Sequence, residues 1–486
     1  MIPTSELVSL MRPRGAVLEP FIGRRRELGD LQRALEKTGR RQFDRPGRAL
    51  LIRGRRRVGK SRLAEEFIRR AQVPHVYYTA TGQTLGKELG VFTEEMRSSD
   101  LPGASLFDGR QPESWHDALS LLARALPEDA PSIVVLDELP YLIKADPSLE
   151  GVLQKLFDKE FSRRPVLLLL IGSDLSMMEA INTYGRPFYQ RAADFVVNPL
   201  GPYDLAQALD LRPADAFDAH LVSGGLPMIC EEWPRGASVM TYLEQALDDP
   251  LSALIVSGER ALAAELPPEA HAQQVLSAIG AGQRTHSTIV AATQEIPRAT
   301  MNRALQLLLE KRLIAIDRPL STRPSRDTRY RVIDSHLRFW LPFIRAHLTD
   351  VERGRGDKVL DRIRRSWTSW RGMAVEPLIH ESLRRMDDLP ERTGAIGGYW
   401  TRTNDPEIDL IGADREPVAK TITMVGSVKW LENRPFDHHD LSELIVHRSR
   451  MPGTDTSTPL YAVSRSGCDV GGVTLITPEQ LLDAWR

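Results

Sequence analysis

Three short stretches carry residue types and spacings suited to a nucleoside triphosphate. The first is Gly54-Arg55-Arg56-Arg57-Val58-Gly59-Lys60-Ser61, followed by Arg62. It fits G-x-x-x-x-G-K-[ST], in which glycines let backbone amides approach phosphates, the lysine adds a cation at the β- and γ-phosphates, and the serine offers a hydroxyl to Mg2+. The second is Asp137-Glu138, closing the run Ser132-Ile-Val-Val-Leu. Asp137 would join Ser61 as a metal ligand, and Glu138 would polarise the attacking water. The third is Gly172-Ser173-Asp174. Ser173 is expected either to reach the γ-phosphate or lytic water, or to cap the helix that follows. Residues 54–62 are thus the expected phosphate cradle, ATP and Mg2+ the cofactors, and Lys60, Glu138 and Ser173 the catalytic set. An arginine finger reaching a neighbouring or its own γ-phosphate is expected to complete that set; Arg191 is preferred to Arg186, and each of these two arginines also has the plainer reading of an ordinary surface ion pair.

These side chains need strand ends and a helix start to hold them. Arg48–Arg53 reads as a buried strand, and Leu63, Phe67 and Ile68 fall at helical spacing just after the glycine loop. The unbroken apolar runs 132–136 and 165–171 have the character of central parallel strands buried on both faces. Further strands are expected at 74–79 and 194–197, with helices at about 83–97, 112–126 and 149–163. Ahead of them, Phe21-Ile-Gly-Arg-Arg-Arg-Glu-Leu28 suits a cover over an adenine base. The first 200 residues therefore divide into an N-terminal arm (1–20) and an α/β core built on a parallel sheet (21–200).

Beyond it the pattern changes. Residues 201–268 are helical, with a Ser223-Gly-Gly-Leu-Pro227 corner, and read as a lid. Residues 269–335 give three helical segments and two alternating strands, 313–317 and 329–333, the pattern of a winged helix-turn-helix. In its third helix Arg298, Thr300, Asn302 and Arg303 are placed to meet a major groove, and Arg323, Arg326 and Arg329 to touch phosphates; the other reading is a protein-contact module with solvated arginines. An aromatic connector (336–365) leads to a last α/β unit (366–486), in which a helix opens at Arg371 and strands run near 398–401, 406–411, 421–430 and 460–463.

Composition sets bounds. With 486 residues, the chain is long enough for three or four domains. Apolar content of 42% and charged content of 27% are those of a soluble globular protein, and a net charge of −1 speaks neither for nor against a local basic face. Two cysteines, Cys230 and Cys468, make neither a disulfide framework nor a metal cluster. The longest aliphatic run, 166–171, is far short of the ~20 residues that span a bilayer, and no apolar signal core opens the sequence. A cytoplasmic protein without membrane partners is the expectation.

The stretches Arg56-Arg57-Val58-Gly59-Lys60-Ser61, Leu136-Asp137-Glu138, Gly172-Ser173 and Gly224-Gly225-x-Pro227 together resemble the archaeal-type P-loop ATPases, relatives of AAA and signal-transducing (STAND) ATPases. The resemblance implies a winged helix after the ATPase and a C-terminal domain similar to PD-(D/E)xK restriction-endonuclease-like folds. Tyr330-Arg-Val-Ile-Asp334, Leu337-Arg-Phe-Trp340, Glu407-Ile-Asp409 and Gly426-x-x-Lys429-Trp430 are similar to that part. It assigns a nuclease-like set of Glu376, Asp409, Ser427 and Lys429. Ser427 stands where the pattern has an acid, which removes one charge from a metal cage built of hard oxygen ligands, so a degenerate nuclease is expected. The function implied is an ATP-hydrolysing switch or remodeller acting on DNA or a protein partner, with homo-oligomers open to it. The alternatives are an ATP-gated metal-dependent nuclease and a nucleotide-controlled signalling scaffold without nucleic acid.

Overall fold

The computed structural model describes residues 21–39, 44–266 and 270–486; the expected arm at 1–20 lies outside them. The first unit is a parallel five-stranded sheet of β1 (Arg48–Arg53), β2 (His75–Thr79), β3 (Ser132–Asp137), β4 (Val166–Gly172) and β5 (Ala192–Val196), in the order β2-β3-β4-β1-β5. The long apolar runs have a simple cause. Successive residues of a strand face opposite sides, and here both sides are covered. Leu51, Val134, Leu136, Leu168 and Leu170 enter one core, and their neighbours Ile52, Ile133, Val135, Leu167 and Leu169 enter the other. The middles of β1, β3 and β4 are therefore apolar at successive positions rather than at alternate ones.

Parallel register brings the carboxyl ends of the central strands to one edge: Arg53 lies beside Gly172, and Leu136 beside Leu170. The helix Lys60–Ala71 follows β1, packing Leu63, Phe67 and Ile68 on the second core.

The chain continues through five helices between Pro202 and Glu265, then three more, Ala270–Gly280, His286–Ala292 and Arg298–Glu310, and an antiparallel hairpin of β6 (Ile314–Asp317) and β7 (Arg329–Val332). One apolar core runs through all of these and into the aromatic helix Ser335–Phe343. Trp340 fills its centre, 1% exposed, with its indole N–H donating to the Ile255 carbonyl at 2.9 Å.

The expected break at 365/366 falls inside one helix of 29 residues, Gly356–Arg384. The reason is its apolar side chains. Val359, Leu360, Ile363 and Trp367 pack on the preceding helical core, while Val375, Leu378, Ile379 and Leu383 pack on the last sheet, so one continuous helix serves both. Arg371 does not open a helix; it sits in the middle of this one, buried, and pairs with Asp218 at 2.9 Å. The last sheet has the order β12-β11-β10-β9-β8, with β8 (Ala395–Trp400), β9 (Glu407–Ala413) and β10 (Ile422–Lys429) antiparallel and β11 (Leu460–Ser464) and β12 (Thr474–Ile476) parallel to β10. Among the described residues, no helix is long and apolar enough to cross a membrane.

Candidate functional site at the strand ends

Gly54 leaves β1 against the Val197 carbonyl, where a Cβ would come within 2.3 Å of its oxygen. The loop closes at Gly59, whose φ of +86° is the left-handed geometry that glycine adopts freely. Arg57 takes a left-handed φ of 68° without that freedom, and so does Glu138 at 54°. Each costs about 1 kcal/mol, and such conformations concentrate at sites that need a fixed side-chain direction.

The polar groups at this edge meet one another. Ser61 Oγ donates to Asp137 Oδ2 at 2.6 Å, Tyr77 OH donates to the same oxygen at 2.7 Å, and the Glu138 amide donates to Oδ1 at 2.8 Å. Burial first, then the Asp137 carboxylate, pushes the Tyr77 hydroxyl far above its usual pKa, so it stays a donor. Ser173 Oγ donates to both Glu138 oxygens at 3.1 Å. Asp174, not Ser173, caps the following helix, accepting from the Met177 amide at 3.0 Å. Lys60 is buried with Nζ donating to the carbonyls of Gly54 at 2.9 Å and Arg55 at 3.0 Å, which holds the ammonium across the loop.

The donor set fits a magnesium triphosphate. A hydroxyl and a carboxylate already in contact can share a hard cation that prefers oxygen ligands. Among the described residues, Arg57 Nη1 is buried with no hydrogen-bond partner. Its guanidinium pKa is lowered by burial and then by the neighbouring cations Arg260 and Arg56. Such converging positive charge accommodates phosphate oxygens. ATP would be held by residues 54–62, and Mg2+ by Ser61 and Asp137.

The loop also has partners from distant parts of the chain. The buried Arg24 guanidinium donates to the Val58 carbonyl at 2.7 Å. Pro227 of the glycine-proline corner approaches within 3.4 Å of where a Gly59 Cβ would stand, and Arg62 pairs with Glu231 just beyond it. Arg55 pairs with Asp334 at 3.1 Å. The stretches Phe21–Leu28 and Ser223–Pro227 hinted at some of this, and Asp334 stood out only as part of Tyr330–Asp334; nothing in sequence marked Tyr77 or Arg260.

Arg191 does not face the loop of its own chain. It precedes β5, and Ala192 is level with Ala49, the second residue of β1. At about 3.3 Å rise per residue, that places it roughly 20 Å from Gly54, at the opposite end of the strand. Its guanidinium forks onto Asp158 at 2.9 and 3.0 Å and also donates to two carbonyls. Arg186 is paired with Glu150. Neither arginine reaches the loop of its own chain.

The other predicted residues fall in two places. Arg298, Asn302 and Arg303 are exposed on the Arg298–Glu310 helix, and Thr300 is half-buried there. Arg323 and Arg326 are exposed, but Arg329 is not available to a phosphate backbone: it lies over the Trp400 ring, 4.4 Å from its centre, and pairs with Glu407 at 2.6 Å. In the last sheet Asp409 accepts from Ser427 Oγ at 3.1 Å and the Val428 amide at 3.0 Å. Lys429 Nζ pairs with Asp440 at 3.0 Å. Glu376 and Asp409 line one cavity of about 750 Å3 between the hairpin and the last sheet. Burial, then the neighbouring Asp409, pushes the Glu376 carboxyl up to about 8, and burial raises Asp409 as well.

A family model described as "Archaea bacterial proteins of unknown function" (DUF234) matches residues 340–441. A protein of Methanocaldococcus jannaschii described as uncharacterized is 24% identical over 453 residues, covering 91% of this chain and 95% of its own. Among solved structures, the Walker-type ATPase PABY2304 of Pyrococcus abyssi aligns with 68% of this chain and 98% of its own at 19% identity, with a TM-score of 0.47. The Aeropyrum pernix ORC2 protein, in complexes with ADPNP and ADP, aligns with 72% of this chain and 97% of its own at 15% identity, with a TM-score of 0.43.

Proposed function

We propose that this chain is a Mg2+-dependent ATPase that couples the triphosphate cycle to a DNA or protein partner through its distal units. One observation carries the reading: the Ser61 hydroxyl and the Asp137 carboxylate, from elements 76 residues apart, meet at 2.6 Å beside the buried Lys60. In this mechanism the loop amides and Lys60 hold the β- and γ-phosphates, and Ser61 and Asp137 ligate the metal, whose charge offsets that developing on the phosphates. Glu138, held by Ser173, orients the attacking water and takes its proton. The exposed arginines of the Arg298–Glu310 helix, on a unit that reads as a winged helix, supply the face for DNA or a partner.

The test is Lys60→Ala with ATP affinity and phosphate release measured side by side. Loss of both is expected; unchanged binding and turnover would refute the assignment. ATPase rate with and without duplex or single-stranded DNA then fixes the partner class. Duplex affinity that falls steeply with salt, and a slope smaller by about one per arginine removed in Arg298→Ala and Arg303→Ala, is the expected signature of phosphate contacts.

A second reading, ATP-gated cleavage by a degenerate PD-(D/E)xK domain, draws on Glu376 and Asp409 sharing one cavity. Metal-dependent cutting of plasmid that disappears in Asp409→Ala would support it, and no cutting with any divalent metal would dispose of it.

A further inference from the structure

Arg55 belongs to the phosphate loop by sequence, yet its guanidinium reaches out of it. One Nη pairs with Asp334 at 3.1 Å, and the other donates to the Arg312 carbonyl. Asp334 also caps the Ser335–Phe343 helix, accepting from the Leu337 amide at 2.9 Å. Arg312 is the residue on which the chain turns between the Arg298–Glu310 helix and β6, with a left-handed φ of 54°. Its own side chain forks onto both oxygens of Glu179, each at 2.9 Å. Glu179 in turn holds Arg53, the last residue of β1, at 2.6 Å. The turn is therefore gripped by its carbonyl from the phosphate loop and by its side chain from the helix after β4. The same parts enclose a cavity of about 410 Å3 lined by Arg56, Ser173, Glu179, Lys311 and Arg312.

This is more than surface pairing. Arg55 and Asp334 are 23% and 15% exposed, so the pair is largely shielded from solvent screening. The contact also adjoins the phosphate loop. A triphosphate in the loop draws on its cations, and Lys60 already rests on the Arg55 carbonyl at 3.0 Å. A triphosphate in the loop would add negative charge beside Arg55, whose guanidinium is held by Asp334 of the distal unit.

We propose that the Arg55–Asp334 and Arg312–Glu179 contacts form a relay in which nucleotide at the loop sets the position of the 311–313 turn, and with it the Arg298–Glu310 helix. The relay rests on the nucleotide reading above and deepens it. By linkage, a partner seated on the exposed face of that helix changes nucleotide affinity by the same factor by which nucleotide changes partner affinity.

The experiment is hydrogen exchange of the full chain with and without a non-hydrolysable ATP analogue and Mg2+, the analogue's binding being titrated separately. The comparison is with the double variant Asp334→Asn, Glu179→Gln. Asparagine caps a helix as well as aspartate does, so the first change removes charge while keeping the cap. Saturating analogue is expected to change exchange of the amides at 307–314 by about fivefold or more in the unaltered chain. In the double variant the change falls below about twofold, with the analogue still bound. Saturable binding without any change at 307–314 in the unaltered chain overturns the relay, as does a change that persists in the double variant. Failure of the analogue to bind the unaltered chain overturns the phosphate-loop reading itself and takes the relay with it.

Discussion

Two sheets in this chain each present a carboxylate, a serine and a lysine near strand ends, and they treat them in opposite ways. At the first sheet, Asp137 accepts three hydrogen bonds, from Ser61, Tyr77 and the Glu138 amide, and the Glu138 carboxylate takes Ser173. The lysine lies across the loop beside them, on main-chain carbonyls. At the last sheet, Lys429 is taken by Asp440, and the two carboxyls facing the cavity, Glu376 and Asp409, are both pushed toward the neutral form by burial. Similar residue types thus give one edge whose carboxylates are hydrogen-bonded into a network and another where burial favours the neutral carboxyl. Hydroxyl and amide donors are common to both, since Asp409 also accepts from Ser427 and the Val428 amide; what sets the last sheet apart is the burial of its two carboxyls, with Asp409 raising Glu376 further.

The largest expected break in this contrast is Glu138→Gln, which should lower phosphate release by about 10³-fold while nucleotide binding persists, as the loss of one electrostatic or base group typically does. Steady-state turnover beside an equilibrium titration measures it. Asp409→Ala should leave turnover essentially unchanged, and a comparable loss there would mean the two edges act as one site.

Next comes pH. Glu376 holds its proton in the folded chain up to about 8, well above the 4.5 of a free glutamate. Between those values the folded state binds a proton that the unfolded state has released, so stability falls as pH rises, by at most about 1.4 kcal/mol per pH unit. Thermal melts from pH 5 to 8 should show that decline, and Glu376→Gln should flatten it. A melting temperature equally dependent on pH in the variant would remove Glu376 as the cause.

Ser173→Ala, which removes the donor holding Glu138, should slow turnover about tenfold, the cost of one hydrogen bond to a charged group. The smallest effect is expected from Arg329→Ala. Loss of its pair with Glu407 and its place over Trp400 should cost about 1 kcal/mol, read as a lower melting temperature with ATPase rate unchanged.

Much of the first sheet was legible because its signals are local. Strand, glycine loop and helix follow one another within about thirty residues, and strands buried on both faces must be apolar throughout. Asp137, Glu138 and Ser173 could be located because a parallel sheet brings strand ends to one edge. Arg191 lies away from the loop of its own chain for a related reason: it stands before a strand rather than after one, and the sheet puts the two ends far apart. The 365/366 division failed because an amphipathic pattern that serves two cores in succession looks, in sequence, like two elements.

The amino-acid order alone determined which groups have the spacing of a triphosphate site and which strands must present them, since these depend on spacing within short segments. Tertiary structure decided who their neighbours are. Tyr77 on Asp137, Arg24 on the loop carbonyl, Arg55 on Asp334 and Lys429 on Asp440 are contacts between side chains that sequence separation does not constrain. They set the direction of the named residues because electrostatic and hydrogen-bond energies fall off within a few ångströms, whatever the distance along the chain.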